Sequence, residues 1–253
     1  MELFDLSEKV AIVTGCSRLN GLGYGMAEGL AEAGAHIAGV ARSDLSEVQQ
    51  KIESIGRSFL AINEDLGNQT CLSNIVKKTL ERFGKVDILI NNAGIIRRNK
   101  ALEFPEKDWD DVLDVNLKSL FFLSQAVAKV FKDNQTGGKI INIASMLTYQ
   151  GGILVPSYTA SKHAVAGVTK ALCNEWAKYH ININAIAPGY MATDNTAPLR
   201  KDAQRNKAIL ERIPAGRWGN NVDLKGTAIF LASSASDYLN GAIIPVDGGW
   251  LAR

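Results

Sequence analysis

Val10-Ala11-Ile12-Val13-Thr14-Gly15-Cys16-Ser17-Arg18-Leu19-Asn20-Gly21-Leu22-Gly23 runs from a short apolar segment through a glycine-rich turn into an Ala/Leu-rich stretch of helical period. The segment 10–14 is β-branched and lacks polar alternation, as expected of a strand buried on both faces of a parallel sheet. Glycines let the backbone turn tightly and approach an anionic group, and a helix starting just after them favours a phosphate at its N-terminus. Alone, such a turn is a weak signal that also serves as a plain strand-to-helix connection. The strand before it and the helix after it favour a dinucleotide.

The rhythm repeats outward from this segment. Further short apolar runs lie at 36–40, 58–62, 86–91, 139–144, 183–187 and 242–246. Stretches long enough for helices lie between them, at 22–33, 70–83, 109–131 and 156–179. Alternation of this kind predicts an α/β fold, a doubly wound parallel sheet of about seven strands with helices on both faces. No repeat or linker interrupts it, so residues 1–253 are read as one domain. The segment 193–214 breaks the rhythm: polar, charged and containing Pro198, it follows a strand end, where ligands bind in such sheets. It reads as a lid or as an ordinary surface excursion.

Composition narrows the function classes. The 253 residues carry 28 basic and 26 acidic side chains, for a net charge of +2 without a basic block. That argues against nucleic acid or an anionic membrane as the main partner. Small anionic substrates stay open, since one or two placed arginines suffice for them. Cys16, Cys71 and Cys173 lack paired metal spacing and suggest reduced thiols. The acidic N-terminus does not resemble a signal peptide, and no apolar run reaches spanning length. A soluble, cytoplasmic protein with no metal is expected.

Tyr158-Thr159-Ala160-Ser161-Lys162 follows Pro156 at a helix start, and i, i+4 spacing puts Tyr158 and Lys162 on one face. A neighbouring ammonium favours a phenolate, so Tyr158 is expected below its ordinary pKa of about 10. An isolated pair of this kind is usually a surface Tyr beside a solvated Lys. The surroundings argue otherwise: Ser145 and Asn91-Asn92-Ala93-Gly94 end two strands at the same edge, Asn116 lies in the helix after the second, and Pro188-Gly189 breaks the chain after a third.

In this order the motifs resemble those of the short-chain dehydrogenase/reductase family, over residues 9–249. The resemblance implies a Rossmann-type fold, NAD or NADP as cofactor, and a homotetramer. It also implies residue roles. Tyr158 would exchange a proton with the reacting oxygen, Ser145 would hydrogen-bond that oxygen, Lys162 would hold the nicotinamide ribose, and Asn116 would anchor a proton-relaying water. Gly15, Ser17, Gly21, Leu22 and Gly23 would line the phosphates, with Arg42, Asp65 and Leu66 at the adenosine. Asn92, Ala93, Gly94, Pro188, Gly189, Met191 and Thr193 would line the rest of the cofactor.

Two features depart from the family pattern. Five residues, rather than the usual three, separate Gly15 from Gly21. Ala41 stands where NAD-dependent members commonly carry Asp, and Arg42 follows it, as in many NADP-dependent members. Both cofactors are therefore expected to bind.

Narrower similarities (NNAGIIRR at 91–98, KIINIASMLTYQGG at 139–152, IPAGRWG at 213–219, VDGGWLAR at 246–253) resemble the family's subgroup that acts on 2-dehydro-3-deoxy-D-gluconate or 2-deoxy-D-gluconate. They imply a sugar-acid substrate from pectin or glycosaminoglycan breakdown. For the substrate carboxylate, Arg97 and Arg98 are the expected anchors, Arg98 slightly preferred, with Gln150 at the hydroxyls. Gluconate 5-dehydrogenase, another ketoreductase of the family, a nicotinamide-retaining epimerase or dehydratase, and a non-catalytic dinucleotide sensor are the alternatives. The chain has no room for the epimerases' added substrate domain, and a sensor needs no Ser145, Tyr158 and Lys162. His36, His163, His180, Cys16 and the four tryptophans read as packing or surface residues.

Overall fold

The computed structural model of the chain describes residues 2–252; Arg253, the end of the C-terminal motif, lies outside them. Strands β1 (Val10–Thr14), β2 (His36–Ala41), β3 (Phe59–Asn63), β4 (Ile88–Asn91), β5 (Gly138–Ile143), β6 (Ile181–Pro188) and β7 (Ile243–Val246) form one sheet in the order β3-β2-β1-β4-β5-β6-β7. Every ladder is parallel. The expected seven-stranded doubly wound sheet is what forms.

Successive strand residues serve opposite faces. Ala11 and Val13 join one core cluster and Ile12 the other; Ile88 and Ile90 face the first, Leu89 the second. The first cluster takes in α1 (Leu22–Glu32), α2 (Ser46–Ser54) and, later in the chain, α9 (Lys225–Ala232). The second takes in α3 (Leu72–Phe83), α5 (Ser119–Asp133) and α6 (Pro156–Trp176). Burial on both faces explains the unalternated apolar runs. Sequence periodicity did not single out α2 or α9. The first buries only Val48 and Ile52, and the second is a short helix containing Gly226.

The predicted helix 109–131 is divided. Between α4 (Glu106–Leu113) and α5 lies a π-helical turn, Asp114–Lys118. It carries the buried Asn116, whose side chain accepts from Ile95 N–H at 2.8 Å and donates to Ile95 O at 3.0 Å. A π turn rotates one residue out of the regular ladder, and here that residue grips the chain leaving β4. After β6 come α7 (Ala197–Lys201) and α8 (Ala203–Arg212), within the segment that broke the rhythm. Asp202 caps α8 by accepting from Arg205 N–H at 3.0 Å. Among the described residues no helix is long and apolar enough to cross a membrane, and none group as metal ligands.

Candidate active site

Strand order reverses between β1 and β4, and the carboxyl edge there opens into a cleft of about 380 Å³. Gly15 leaves β1 at φ +69°, and a Cβ on it would stand 2.8 Å from Ala93 Cα. A Cβ on Gly23 would stand 2.5 Å from Asn92 Nδ2 and 2.5 Å from Gly15 O. Only glycine allows this close approach. Asn92 Nδ2 donates to Thr14 O at 2.8 Å, while Thr14 Oγ1 accepts from the N–H groups of Asn92 and Ala93 at 3.0 and 2.9 Å. The ends of β1 and β4 are thus tied together.

Gly21 is the N-cap of α1 and offers no side-chain cap. The first-turn N–H groups are left for a ligand, and Gly21 and Leu22 line the cleft. The longer loop crosses the opening: Asn20 Nδ2 donates to Asp194 Oδ1 at 2.9 Å, and Arg18 Nη1 lies 3.7 Å from Asp194 Oδ2. Ser17, Asp65, Leu66 and Gly94 line the cleft. Arg42 also lines it, paired with Asp65 at 3.6 Å. Cys16 turns away from it, fully buried with its thiol pushed up to about 12 by burial.

Tyr158 stands in the first turn of α6, on the boundary between this cleft and a second cavity of about 490 Å³. Ser145, just past β5, faces the Tyr158 hydroxyl and lowers its pKa. Thr148 Oγ1 accepts from Ser145 N–H at 3.3 Å and donates to Lys162 O at 3.0 Å, so the β5 turn and α6 share one hydroxyl. Lys162 is 4% exposed and its Nζ donates to Ile143 O at 2.6 Å. Burial brings its ammonium from 10.5 down to about 8.

Burial also raises Tyr158, against the pull of the Ser145 side chain and the Arg98 charge. The expected lowering is therefore corrected. The Lys162 ammonium sits 5.5 Å from the Tyr158 ring centroid, engaged with the Ile143 carbonyl, and desolvation of the phenol prevails. Asn116 lies beside this cluster, with Nδ2 also 3.2 Å from Ser161 Oγ. Both polar ends of its side chain thus meet protein partners, Ile95 and Ser161.

The second cavity is bounded by the 145–155 loop on one side and α8 on the other. Tyr190 and Trp250 meet edge to face in its wall, with centroids 4.7 Å apart. Gln150 Oε1 accepts from Trp250 Nε1 at 3.2 Å and from Arg212 Nη2 at 3.4 Å. Arg98, Arg205 and Arg212 line this cavity, and no Asp or Glu does among the described residues.

The short chain dehydrogenase family model matches residues 9–204. The chain belongs to the short-chain dehydrogenase family. A 2-dehydro-3-deoxy-D-gluconate 5-dehydrogenase from Dickeya dadantii (strain 3937) is 60% identical to this dehydrogenase, covering 100% of this chain and 99% of its own. A crystal structure from Agrobacterium tumefaciens with bound NADP is 52% identical, with TM-score 0.94 and full coverage of both chains (100% and 100%). A gluconate 5-dehydrogenase from Burkholderia cenocepacia J2315, in complex with NADP and tartrate, is 37% identical with TM-score 0.94, covering 100% of this chain and 98% of its own.

Within this short-chain dehydrogenase the structure sorts the expected site residues. Ser145, Tyr158, Lys162 and Asn116 come together, and Thr193 lines both cavities. Pro188, Gly189 and Met191, expected at the cofactor, line the second cavity, which shares Thr193 and Tyr158 with the cleft. Arg98 and Gln150 reach that cavity. Arg97 does not: it turns to α4, where it lies 3.4 Å from Asp108 and 3.5 Å from Asp111. Sequence reasoning missed Thr148, and it missed Arg205 and Arg212, whose seven-residue spacing within the 193–214 segment was a readable sign of one helix face.

Proposed function

We propose that this dehydrogenase interconverts a secondary alcohol and a ketone on a sugar acid, at C5 of 2-dehydro-3-deoxy-D-gluconate, with NAD or NADP. The observation carrying this reading is the second cavity, which meets Ser145 and Tyr158 and is lined by three arginines without a carboxylate. Such a wall favours an anionic substrate. The related enzyme from Dickeya supplies the particular acid.

The cleft fits a dinucleotide, because Gly15 and Gly23 leave room that a Cβ would fill and α1 leaves N–H groups uncapped. Gly15, Ser17, Gly21, Leu22, Asn92, Ala93 and Gly94 would hold it, with Asp65, Leu66 and Arg42 at the adenosine end. When bound, the nicotinamide supplies or takes the hydride. The chain's own residues do the rest. Ser145 orients the reacting oxygen, Tyr158 gives its hydroxyl proton to that oxygen in reduction and recovers one in oxidation, and Lys162 supplies the positive charge that favours the phenolate. Arg42 beside Ala41 admits a 2′-phosphate, and its pairing with Asp65 still leaves room for NAD. Exposed Trp109 on α4 and Phe122 on α5 support assembly of copies, for which a homotetramer is proposed, in the cytoplasm.

Reduced-nicotinamide absorbance, followed with a panel of keto sugar acids and both cofactors, tests the reading. Turnover of the 5-keto acids, lost by two or more orders of magnitude in Tyr158→Phe while dinucleotide binding persists, is the expected result. No turnover of any acid in the panel, or an undiminished Tyr158→Phe, would sink it.

A further inference from the structure

The three arginines of the second cavity are not equivalent. Arg98 comes from the chain after β4, and its charge acts on the Tyr158 hydroxyl, at the reacting end. Its Nη2 already donates to Asn195 O at 3.0 Å. Arg205 and Arg212 come from α8, and their charges act on the Tyr190 hydroxyl, in the wall with Trp218 and Trp250, whereas Arg98 is the charge that acts on Tyr158. On α8 the residues that line the cavity are Arg205, Ala208, Ile209 and Arg212. Their i, i+3, i+4, i+7 spacing is one helical face, and Ala208 is too short to fill the space between the guanidiniums. Arg212 lies over Trp250, its Cζ 4.0 Å from the ring centroid, and donates to Gln150. Arg205 is different. Its backbone N–H takes the Asp202 cap, while its guanidinium has no hydrogen bond or ion pair among the described residues.

We infer that Arg205 is the specificity-determining residue that grips the substrate carboxylate. The inference rests on the sugar-acid reading above. In a 5-keto acid the carboxylate at C1 is at the opposite end of the carbon chain from the carbon whose oxygen meets Tyr158. A cation beside Tyr158, such as Arg98, is at the wrong end of the molecule for it. A guanidinium across the cavity, with its parallel donors uncommitted, matches a planar carboxylate. Arg212, pinned against Trp250, and Gln150, held by both, form the fixed wall along which the hydroxylated middle of the substrate lies.

The test compares the preferred keto acid of the panel with its primary carboxamide, in wild type, Arg205→Ala, Arg205→Lys and Arg98→Ala. Arg205 is exposed on a helix surface, so the Ala variant keeps the fold, which a thermal melt verifies. Wild type should favour the acid. Arg205→Ala should raise KM for the acid by tens of fold while kcat and the carboxamide kinetics hold, and Arg205→Lys should recover part of the loss. Binding of the hydroxy-acid product to the protein with bound reduced nicotinamide, a pair that cannot react, followed by calorimetry, should weaken by the same factor. If wild type favours the acid and Arg205→Ala keeps that preference whereas Arg98→Ala loses it, the assignment to Arg205 is overturned and the sugar-acid reading stands. If wild type does not distinguish acid from carboxamide, both fall.

Discussion

Lys162 is buried at a cost to the fold and is required by the proposed chemistry, and Lys162→Met separates these two roles. The ammonium is buried, and burial brings it from 10.5 to about 8, which corresponds to roughly 3 kcal/mol of disfavoured charge below that pH. Met fills a similar volume without charge. Against that gain stands the loss of the hydrogen bond to Ile143 O at 2.6 Å, which leaves a buried carbonyl short of a donor at about 1–3 kcal/mol. The ligand-free variant is therefore expected to be more stable than wild type at pH 7 by up to about 2 kcal/mol, worth a few degrees in Tm for a chain of this size. Turnover should collapse.

The sign reverses with pH. Between about 8 and 10.5 the unfolded wild-type chain binds more protons at this lysine than the folded one, so wild-type stability rises with pH through that window. The variant has no such rise. Its advantage should shrink above pH 8 and become a deficit near pH 10, where the neutral amine still donates to Ile143. Urea unfolding of both proteins at pH 7 and pH 10 measures the crossover, and a Tyr158→Phe background removes the neighbouring phenol's own titration. If the variant is less stable by more than about 1 kcal/mol at pH 7, or the gap is the same at both pH values, the buried-charge argument fails.

Other consequences are open to measurement. The Arg98 charge pulls Tyr158 down, so Arg98→Ala should let its pKa rise and move the alkaline-rising limb of alcohol oxidation to higher pH; a pH profile of kcat with no movement would separate Arg98 from the reacting end. Asp194 holds the longer glycine loop across the cleft through Asn20 and Arg18. Because this ion pair is exposed and the contact is worth about 1 kcal/mol, Asp194→Ala should speed dinucleotide release by roughly twofold to tenfold in stopped-flow fluorescence. An unchanged release rate would reduce the loop contact to a surface accident.

The sheet was legible because its strands are buried on both faces. A segment such as Val10–Thr14 carries no polar residue until its carboxyl end, and the register then brings Gly15, Asn91 and Ser145 to one edge. Tyr158 and Lys162 were legible because helical spacing puts them on one face and Ser145, Asn91–Gly94 and Asn116 stand in order around them. What stayed hidden depends on tertiary contact. The π turn at Asn116 leaves no mark in periodicity, since its cause is a bond to Ile95, 21 residues away in sequence. The direction of the Tyr158 shift was misjudged because spacing reports a nearby cation and says nothing of desolvation. The turn of Arg97 toward Asp108 and Asp111 depends on how the chain leaves β4 and meets α4, which adjacency to Arg98 could not reveal.

The contact between α6 and the sheet explains how the proposed acid/base pair, Tyr158 and Lys162, is held in place. Of the six residues that α6 buries, Ser157, Ser161, Lys162 and Thr169 are polar, and only Val165 and Leu172 are apolar. Apolar packing is non-directional, and a helix held by it alone could rotate or slide by a fraction of an ångström at little penalty. Here Asn91 Nδ2 donates to Asn142 Oδ1 at 2.9 Å, Asn142 Nδ2 donates to Thr169 Oγ1 at 3.0 Å, and Thr169 donates to Val165 O at 2.8 Å. Near the helix start, Asn116 reaches Ser161, and Thr148 ties Lys162 O to the Ser145 turn. Each bond recovers little net stability once its desolvation is counted. What the ladder supplies is direction: it crosses β4 and β5 and fixes α6 in both rotation and height. Proton transfer depends on heavy-atom separations near hydrogen-bond length, and misplacement of about an ångström can cost 10²-fold in rate. A polar seam that adds little to stability is therefore what a helix bearing Tyr158 and Lys162 requires.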